Sequence, residues 1–249
     1  MSPRDTVSQG SARPSFYALA SGGWRDYVTL VHTPYTAWHL SYVVVGGCLA
    51  PQVDWWTLGL TVLAFALAMG IGAHALDELS GRPLGTAIPS TILVALAVVS
   101  VTAAAAIGLA VALDRTLWIL PLVAIGVALV PAYNLELLGG RVHTDLGFAL
   151  SWGAFPTLTA YVAQTGAVRA EAALAATWAT LLSLAQRRLS TQARYVRRDV
   201  VEVDGAIVHR DRGREPLARG HLVDAPESAL RLLAAATVVL AAALVAFRL

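Results

Sequence analysis

Three ionisable residues stand close together where an apolar segment of the chain ends. His74, Asp77 and Glu78 are spaced three and four residues apart, so on a helix they share one face. Arg82 and Pro83 follow and predict a loop. Ionisable groups at the end of a membrane helix are costly to keep and indicate a functional site. We therefore predict that His74, Asp77 and Glu78 are catalytic and that Arg82 binds substrate.

Two later polar segments carry similar side chains. Residues 133–145 combine acceptors, a guanidinium and an imidazole, and residues 187–198 are rich in arginine. Carboxylate oxygens suit Mg²⁺, and arginine offers paired donors to phosphate. We predict two residue sets. The metal ligands are Asp77, Glu78, Glu136 and Asp145, and the further substrate-binding residues are Tyr133, Asn134, Arg141, Arg187 and Arg188.

Carboxylates on one wall and arginines on another suit one substrate in particular. An isoprenyl diphosphate has an apolar tail that can lie among membrane helices and a charged head that needs Mg²⁺ and guanidinium contacts. Ionising its carbon–oxygen bond requires positive charge beside the leaving group. The sequence thus predicts prenyl transfer or terpene cyclisation.

The composition is that of an integral membrane protein. Hydrophobic residues make up 57% of the 249 and charged residues 14%, and the mean hydropathy is +0.62. Soluble domains are about half apolar and a quarter charged. The net charge of +2 gives no indication of nucleic acid binding, and we expect membrane lipids as partners. The single cysteine, Cys48, excludes an internal disulfide.

The elements that position these residues are predicted to be membrane helices. A span needs roughly 20 apolar residues, and we predict an all-α bundle with about seven spans. They lie near 29–49, 55–76, 89–113, 116–132, 146–166, 170–186 and 228–247.

The arginines set the predicted orientation in the inner or plasma membrane. With the N-terminus in the cytoplasm, only Arg115, Arg169 and Arg248 fall outside, and every other arginine lies on the cytoplasmic side. This asymmetry satisfies the positive-inside rule and places the C-terminus outside.

The regions outside the spans are predicted as follows. Residues 1–27 form a flexible cytoplasmic tail, and residues 28–249 form the transmembrane domain with a cytoplasmic insertion at 187–227. The sixth helix continues into that insertion as a basic amphipathic extension. Two β-favouring runs around Asp204-Gly205 predict a small hairpin that caps the cytoplasmic mouth, followed by an irregular linker through Pro226.

The chain resembles the UbiA superfamily of intramembrane prenyltransferases, most of all its menaquinone-pathway members. Residues 146–166, which end in Tyr161-Val-Ala-Gln164-Thr165-Gly166, are similar to that family's fifth helix. Asp77 and Arg82-Pro83 stand where the family has its first Asp-rich motif. The resemblance covers roughly residues 25–205 and implies a helical membrane fold, prenyl transfer and Mg²⁺.

The chain also departs from the family pattern. In the first motif, Ala73 replaces the asparagine, His74 the first aspartate and Gly81 the last. The second Asp-rich motif is not in register, because Gln186-Arg187-Arg188 occupies its neighbourhood. The family usually has nine spans, and this chain has room for one after the sixth.

These features leave alternatives open. His74, Asp77 and Glu78 could be a hydrogen-bonded helix end paired to Arg82, and Asp145 could be the N-cap of the fifth helix. The protein could be a non-catalytic relative that binds or presents an isoprenoid or supports a partner enzyme. It could be a His/carboxylate metalloenzyme that uses His74, Asp77, Glu78 and His143. A homo-oligomer could supply the missing spans.

Overall fold

The fold is a helical bundle with one small hairpin. The computed structural model describes residues 14–249. Its elements are α1 (Trp24–Leu30), α2 (Thr33–Cys48), α3 (Trp55–Leu79), α4 (Ser90–Asp114), α5 (Ile119–Asn134), α6 (Asp145–Thr165), α7 (Ala170–Arg198), β1 (Ala206–His209), β2 (Gly213–Pro216) and α8 (Arg219–Arg248).

Helices α3 and α6 each contain a π-helical segment. These segments are Ala66–Ala73 in α3 and Leu150–Ala154 in α6. A π-segment widens the helix locally and frequently marks a functional site. Each one faces the cavities described below through one large side chain, Met69 in α3 and Trp152 in α6.

Helix α2 forms the centre of the bundle. It packs against α6 and α8, while α7 packs against α8, and α4 packs against α3 and α5. Trp38 and Tyr42 of α2 are fully buried. Trp38 donates to the Tyr42 hydroxyl at 2.7 Å, and Ser183 of α7 donates to the same oxygen at 3.2 Å. The hydrogen bond from Ser183 to Tyr42 thus fixes α7 against the central helix.

The predicted helical membrane fold is found in its coarse form. Each of the seven predicted segments is helical, and four helices of the described chain are long and apolar enough to cross a membrane: α3, α4, α6 and α8. Helix α5 is apolar but shorter, and α2 has 16 residues. The four apolar helices indicate an integral membrane protein, while seven crossings and their orientation stay predictions.

The hairpin forms, but its turn was predicted in the wrong place. Strand β1 begins after Asp204-Gly205 and pairs antiparallel with β2, so that His209 faces Gly213 across the turn. Gly213 closes the turn at φ 81°, which suits glycine after a three-residue loop. No hairpin residue lines the main polar cavity, so the predicted cap over the mouth is not found.

Helix α7 extends past its predicted span and reaches Arg198, as predicted. The predicted irregular linker through Pro226 is wrong. Helix α8 begins at Arg219 and runs through that proline. Its first turns are held by tertiary contacts, because Glu227 pairs with Arg197 of α7 and Val223 joins an apolar cluster there. Tertiary packing outweighs the cost of an internal proline.

The predicted tail of residues 1–27 is only partly in view. Residues 1–13 lie outside the described residues. Residues 14–27 are not a free tail, because Ser15 and Ala18 are buried and α1 begins at Trp24. Asp26 accepts from the backbone N–H of Ala87 at 2.9 Å and ties α1 to the loop before α4.

Candidate functional site

The three predicted polar segments meet at one polar chamber of about 300 Å³. Sequence reasoning predicts this convergence, and the structure confirms it. The predicted residues that line the chamber are His74, Asp77, Tyr133, Asn134, His143 and Arg187.

His74 lies in the chamber wall and stacks on a second histidine. The rings of His74 and His32 have centroids 4.1 Å apart and are nearly parallel at 22°. Nδ1 of His74 bonds to the carbonyl of Gly70 at 3.1 Å. A carbonyl can only accept, so Nδ1 carries the proton and Nε2 is the basic nitrogen.

Asp77 is the one predicted metal-binding carboxylate that faces the chamber. Its side-chain carboxylate accepts no hydrogen bond from any residue between 14 and 249, and the guanidinium groups of Arg194 and Arg198 line the same chamber. A carboxylate with free oxygen lone pairs beside cationic groups can accept a hydrogen bond from a ligand or hold a cation.

Tyr133 and His143 form a second stacked pair in the wall, with ring centroids 4.6 Å apart. Nδ1 of His143 donates to the carbonyl of Tyr133 at 3.1 Å, and its Nε2 faces the Arg187 guanidinium at 3.5 Å. Asn134 lies next to them and donates to the carbonyl of Val130. His143 therefore connects Tyr133 with Arg187 of α7 in the chamber wall.

One face of α7 supplies the positive charge. Arg187, Arg194, Arg197 and Arg198 all line the chamber. Arg194 has no carboxylate partner in the described chain, and its guanidinium donates a hydrogen bond to the Thr191 hydroxyl at 3.4 Å. Burial lowers the pKa of the Arg194 guanidinium, and the charges of Arg187 and Arg198 lower it further. A half-buried guanidinium with no carboxylate partner is suited to bind an anion.

Four buried side-chain polar atoms in residues 14–249 have no hydrogen-bond partner, and each belongs to a residue that lines a cavity. His32, Tyr133 and Gln186 line the chamber, and Thr159 lines the groove described next. Buried polar groups are normally paired because leaving one unpaired costs about 1–3 kcal/mol. The chamber and the groove are therefore the places in the described chain where bound water or a ligand could satisfy such groups.

An apolar groove adjoins the chamber. It lies between α3, α4, α5 and α6, has a volume of about 90 Å³, and is lined almost entirely by aliphatic and aromatic side chains. Met69 and Trp152, from the two π-segments, line both the groove and the chamber. The polar chamber and the apolar groove therefore share one boundary.

Two predicted site residues hold the α3–α4 loop instead of facing the chamber. Glu78 is fully buried, and its carboxylate accepts from the Leu84 N–H at 2.9 Å and from both the N–H and the hydroxyl of Thr86. Arg82 donates to the carbonyls of Thr86 and Ile88 and to Ser90. The oxygens of Glu78 are occupied by the loop, and this placement does not fit a metal ligand.

The remaining predicted residues lie at the rim or outside. Glu136 and Arg141 are exposed and do not line the chamber. Asp145 pairs with Arg187 at 3.2 Å and with Arg188 at 3.5 Å, and the Arg188 side chain is 81% exposed. The N-cap of α6 is Thr144, whose hydroxyl accepts from Gly147, so the predicted cap is wrong by one residue.

The four predicted Mg²⁺ ligands therefore do not come together. Only Asp77 faces the chamber. Across residues 14–249, no group of three or more His, Cys, Asp or Glu side chains is arranged to hold a metal ion. The residues present do not fit the predicted multi-carboxylate site.

Sequence reasoning missed one wall of the chamber. His32, Tyr35 and His39 come from α2 and its start, and Arg194, Arg197 and Arg198 come from the extension of α7. In each set, residues lie three and four positions apart, which places them on one face of a helix. This spacing was the sequence signal that could have identified them. The histidines have no charged neighbour in sequence, so only the fold brings them to the site.

Comparisons of the chain with protein-family models, with curated proteins and with solved structures found no match. The conclusions about function therefore depend on the residues and their geometry.

Proposed function

We propose that this integral membrane protein binds an isoprenyl diphosphate and transfers or cyclises its prenyl chain. The observation that carries the proposal is the shared boundary of the arginine-lined chamber and the apolar groove at Met69 and Trp152. An amphipathic ligand would place its diphosphate in the chamber and its chain in the groove. The membrane orientation proposed with it has the chamber on the cytoplasmic side.

The chemistry begins at the carbon–oxygen bond next to the diphosphate. When this bond breaks, the electron pair leaves with the diphosphate, and the guanidinium groups of Arg187 and Arg194 stabilise the added negative charge. The allylic cation left behind lies near the rings of Tyr133 and Trp152, whose centroids are 5.6 Å apart, and aromatic faces stabilise cations. A carbon–carbon double bond of the acceptor, or of the same chain in cyclisation, gives its electron pair to this cation and forms the new bond. The cation that results loses a proton to the released diphosphate or to water.

Membership of the UbiA superfamily is part of the same proposal. It is supported by the resemblance at residues 146–166, by the position of Asp77 and by the helical membrane fold. Because the four predicted carboxylates are separated, no step above passes through Mg²⁺. Mg²⁺ dependence stays a prediction centred on Asp77, whose oxygens face the chamber.

A second candidate function is binding or presentation of an isoprenoid without turnover. The burial of Glu78 in its loop favours it, because that placement leaves Asp77 as the only predicted carboxylate in the chamber. The same groove and arginines would hold the lipid.

Turnover measurements separate the two functions. We expect purified protein in nanodiscs to bind geranylgeranyl diphosphate and, with an acceptor present or by cyclisation, to release diphosphate. Arg194→Gln should weaken binding about tenfold or more, as expected for a lost charge-assisted hydrogen bond. The control is Arg141→Gln, which changes an exposed arginine outside the chamber. Binding without release supports the second candidate, and no binding contradicts both.

A further inference from the structure

A short segment before α1 forms part of the chamber wall. Residues 14–17, which we name the N-terminal strap, all line the chamber. The Phe16 ring lies 6.1 Å from that of Tyr35, and the Tyr17 ring lies 5.2 Å from that of His32 and 5.4 Å from that of Tyr35. The strap therefore covers the aromatic wall supplied by α2.

The strap is held by side-chain contacts. Within the described chain, its only backbone hydrogen bond is local, from the N–H of Ala18, the next residue, to the Ser15 carbonyl. The first hydrogen bond to the bundle comes later, where the Leu19 N–H donates to the Thr29 hydroxyl at 3.1 Å. Segments without backbone pairing to the rest of the fold open at low free-energy cost.

A line of alternating charges connects the strap with the anion site. The Arg231 guanidinium lies 4.9 Å from the centroid of the Phe16 ring. Arg231 also contacts the Glu227 carboxylate at 3.4 Å, and Glu227 in turn accepts two hydrogen bonds from Arg197 of the chamber. Glu227 is 4% exposed and itself lines the chamber.

We propose that an anion in the chamber releases the strap through this line of charges. An anionic head bound to Arg197 competes with Glu227 for the same guanidinium. Losing one cationic partner leaves uncompensated charge on the buried Glu227 carboxylate. Arg231, the other cation in contact with Glu227, then moves closer to it and away from Phe16. The strap then loses its cation–π contact and opens the chamber while the head is bound. This inference rests on the proposed function, because it needs a phosphate-bearing head in the chamber.

Thiol labelling tests the coupling on the full chain. Ser15→Cys, made together with Cys48→Ala, places one thiol at the buried position of the strap. We expect a water-soluble maleimide to label it slowly and inorganic pyrophosphate to raise the rate about fivefold, the factor for a cation–π contact at a partly exposed site. Adding Arg231→Gln should give the fast rate without pyrophosphate and remove most of its effect. The matched control is Arg212→Gln, an exposed arginine in the hairpin turn.

The outcomes separate this inference from the proposed function. Pyrophosphate binding is followed independently by the rise it causes in thermal stability and by loss of that rise in Arg194→Gln. If pyrophosphate binds and the labelling rate stays unchanged, the coupling is wrong and the head site stands. If pyrophosphate does not bind, both fail. Slow labelling in Arg231→Gln would show that Arg231 does not hold the strap.

Discussion

At the scale of single residues, Asp77 and Glu78 are neighbours in sequence with different surroundings in the fold. Asp77 faces the chamber without a hydrogen-bond donor among residues 14–249, whereas Glu78 accepts three hydrogen bonds from the α3–α4 loop. Their helical positions differ by about 100°, and this rotation separates a carboxylate that faces the chamber from one that holds the loop.

This difference predicts that two conservative substitutions affect different properties: Glu78→Gln affects stability, and Asp77→Asn affects activity. Glu78→Gln places an amide among backbone N–H donors and should lower the free energy of unfolding by about 1–3 kcal/mol. Asp77→Asn should leave thermal stability near the wild-type value and reduce diphosphate release. Thermal unfolding in detergent and diphosphate release, measured on the same preparations, check both. Full activity in Asp77→Asn would remove that residue from the site.

Glu215 in strand β2 of the hairpin is expected to make part of the stability depend on pH. Hydrogen bonds from His221 and His209 hold the pKa of the Glu215 carboxyl below its usual range. Because the pKa of Glu215 is lower in the folded state, these contacts add to the free energy of unfolding at pH values above the unfolded-state pKa. That contribution is lost as the pH falls through the folded-state pKa. We expect carbon NMR to show Glu215 titrating at a lower pH in the wild type than in His221→Asn. Equal titration in the two proteins would contradict the contact.

At the scale of elements, the site depends on how closely helices approach one another. A Cβ added at Gly46 of α2 would lie 2.1 Å from the carbonyl oxygen of Thr157 in α6. These helices carry His39 and Trp152, which are joined by a 2.9 Å hydrogen bond in the chamber wall. The glycine therefore sets the spacing of two walls of the chamber.

Gly46→Ala should destabilise the bundle by about 1–3 kcal/mol, the usual cost of overpacking a tight contact. Gly59→Ala is the matched control, because a Cβ at Gly59 of α3 meets nothing within 4 Å. The control should be neutral or stabilising by up to about 1 kcal/mol, since alanine favours helix. Thermal unfolding of both variants measures the difference, and similar losses in the two would argue against the close approach.

The elements also show what the sequence can and cannot predict. Apolar length locates all seven helical segments, and the arginine spacing after residue 186 predicts the extension of α7. The helical start of α8 is missed, because Glu227 and Val223 gain their partners on α7 only after folding. The site is predicted only in part for the same reason. Asp77 is found from the sequence, whereas His32 and Tyr35 are brought to it by tertiary packing.

For the molecule as a whole, we predict that two loops lie on opposite sides of the membrane. With the N-terminus in the cytoplasm, the hairpin lies inside and the α6–α7 connection lies outside. In the Cys48→Ala background, Arg212→Cys should react with an impermeant maleimide only after the cells are opened. Val168→Cys, at a 62% exposed position in that connection, should react in intact cells. Reaction of both from one side would overturn the predicted topology.

In the proposed function, one amphipathic ligand occupies the chamber and the groove together. A prenyl diphosphate with a photoreactive diazirine in its chain tests this most directly, with the labelled peptides identified by mass spectrometry. We predict label in Trp55–Leu79 and Asp145–Thr165, which carry Met69 and Trp152, and loss of that label with excess pyrophosphate. Label confined to the outer faces of α4 or α8, or label that pyrophosphate does not reduce, would contradict the claim.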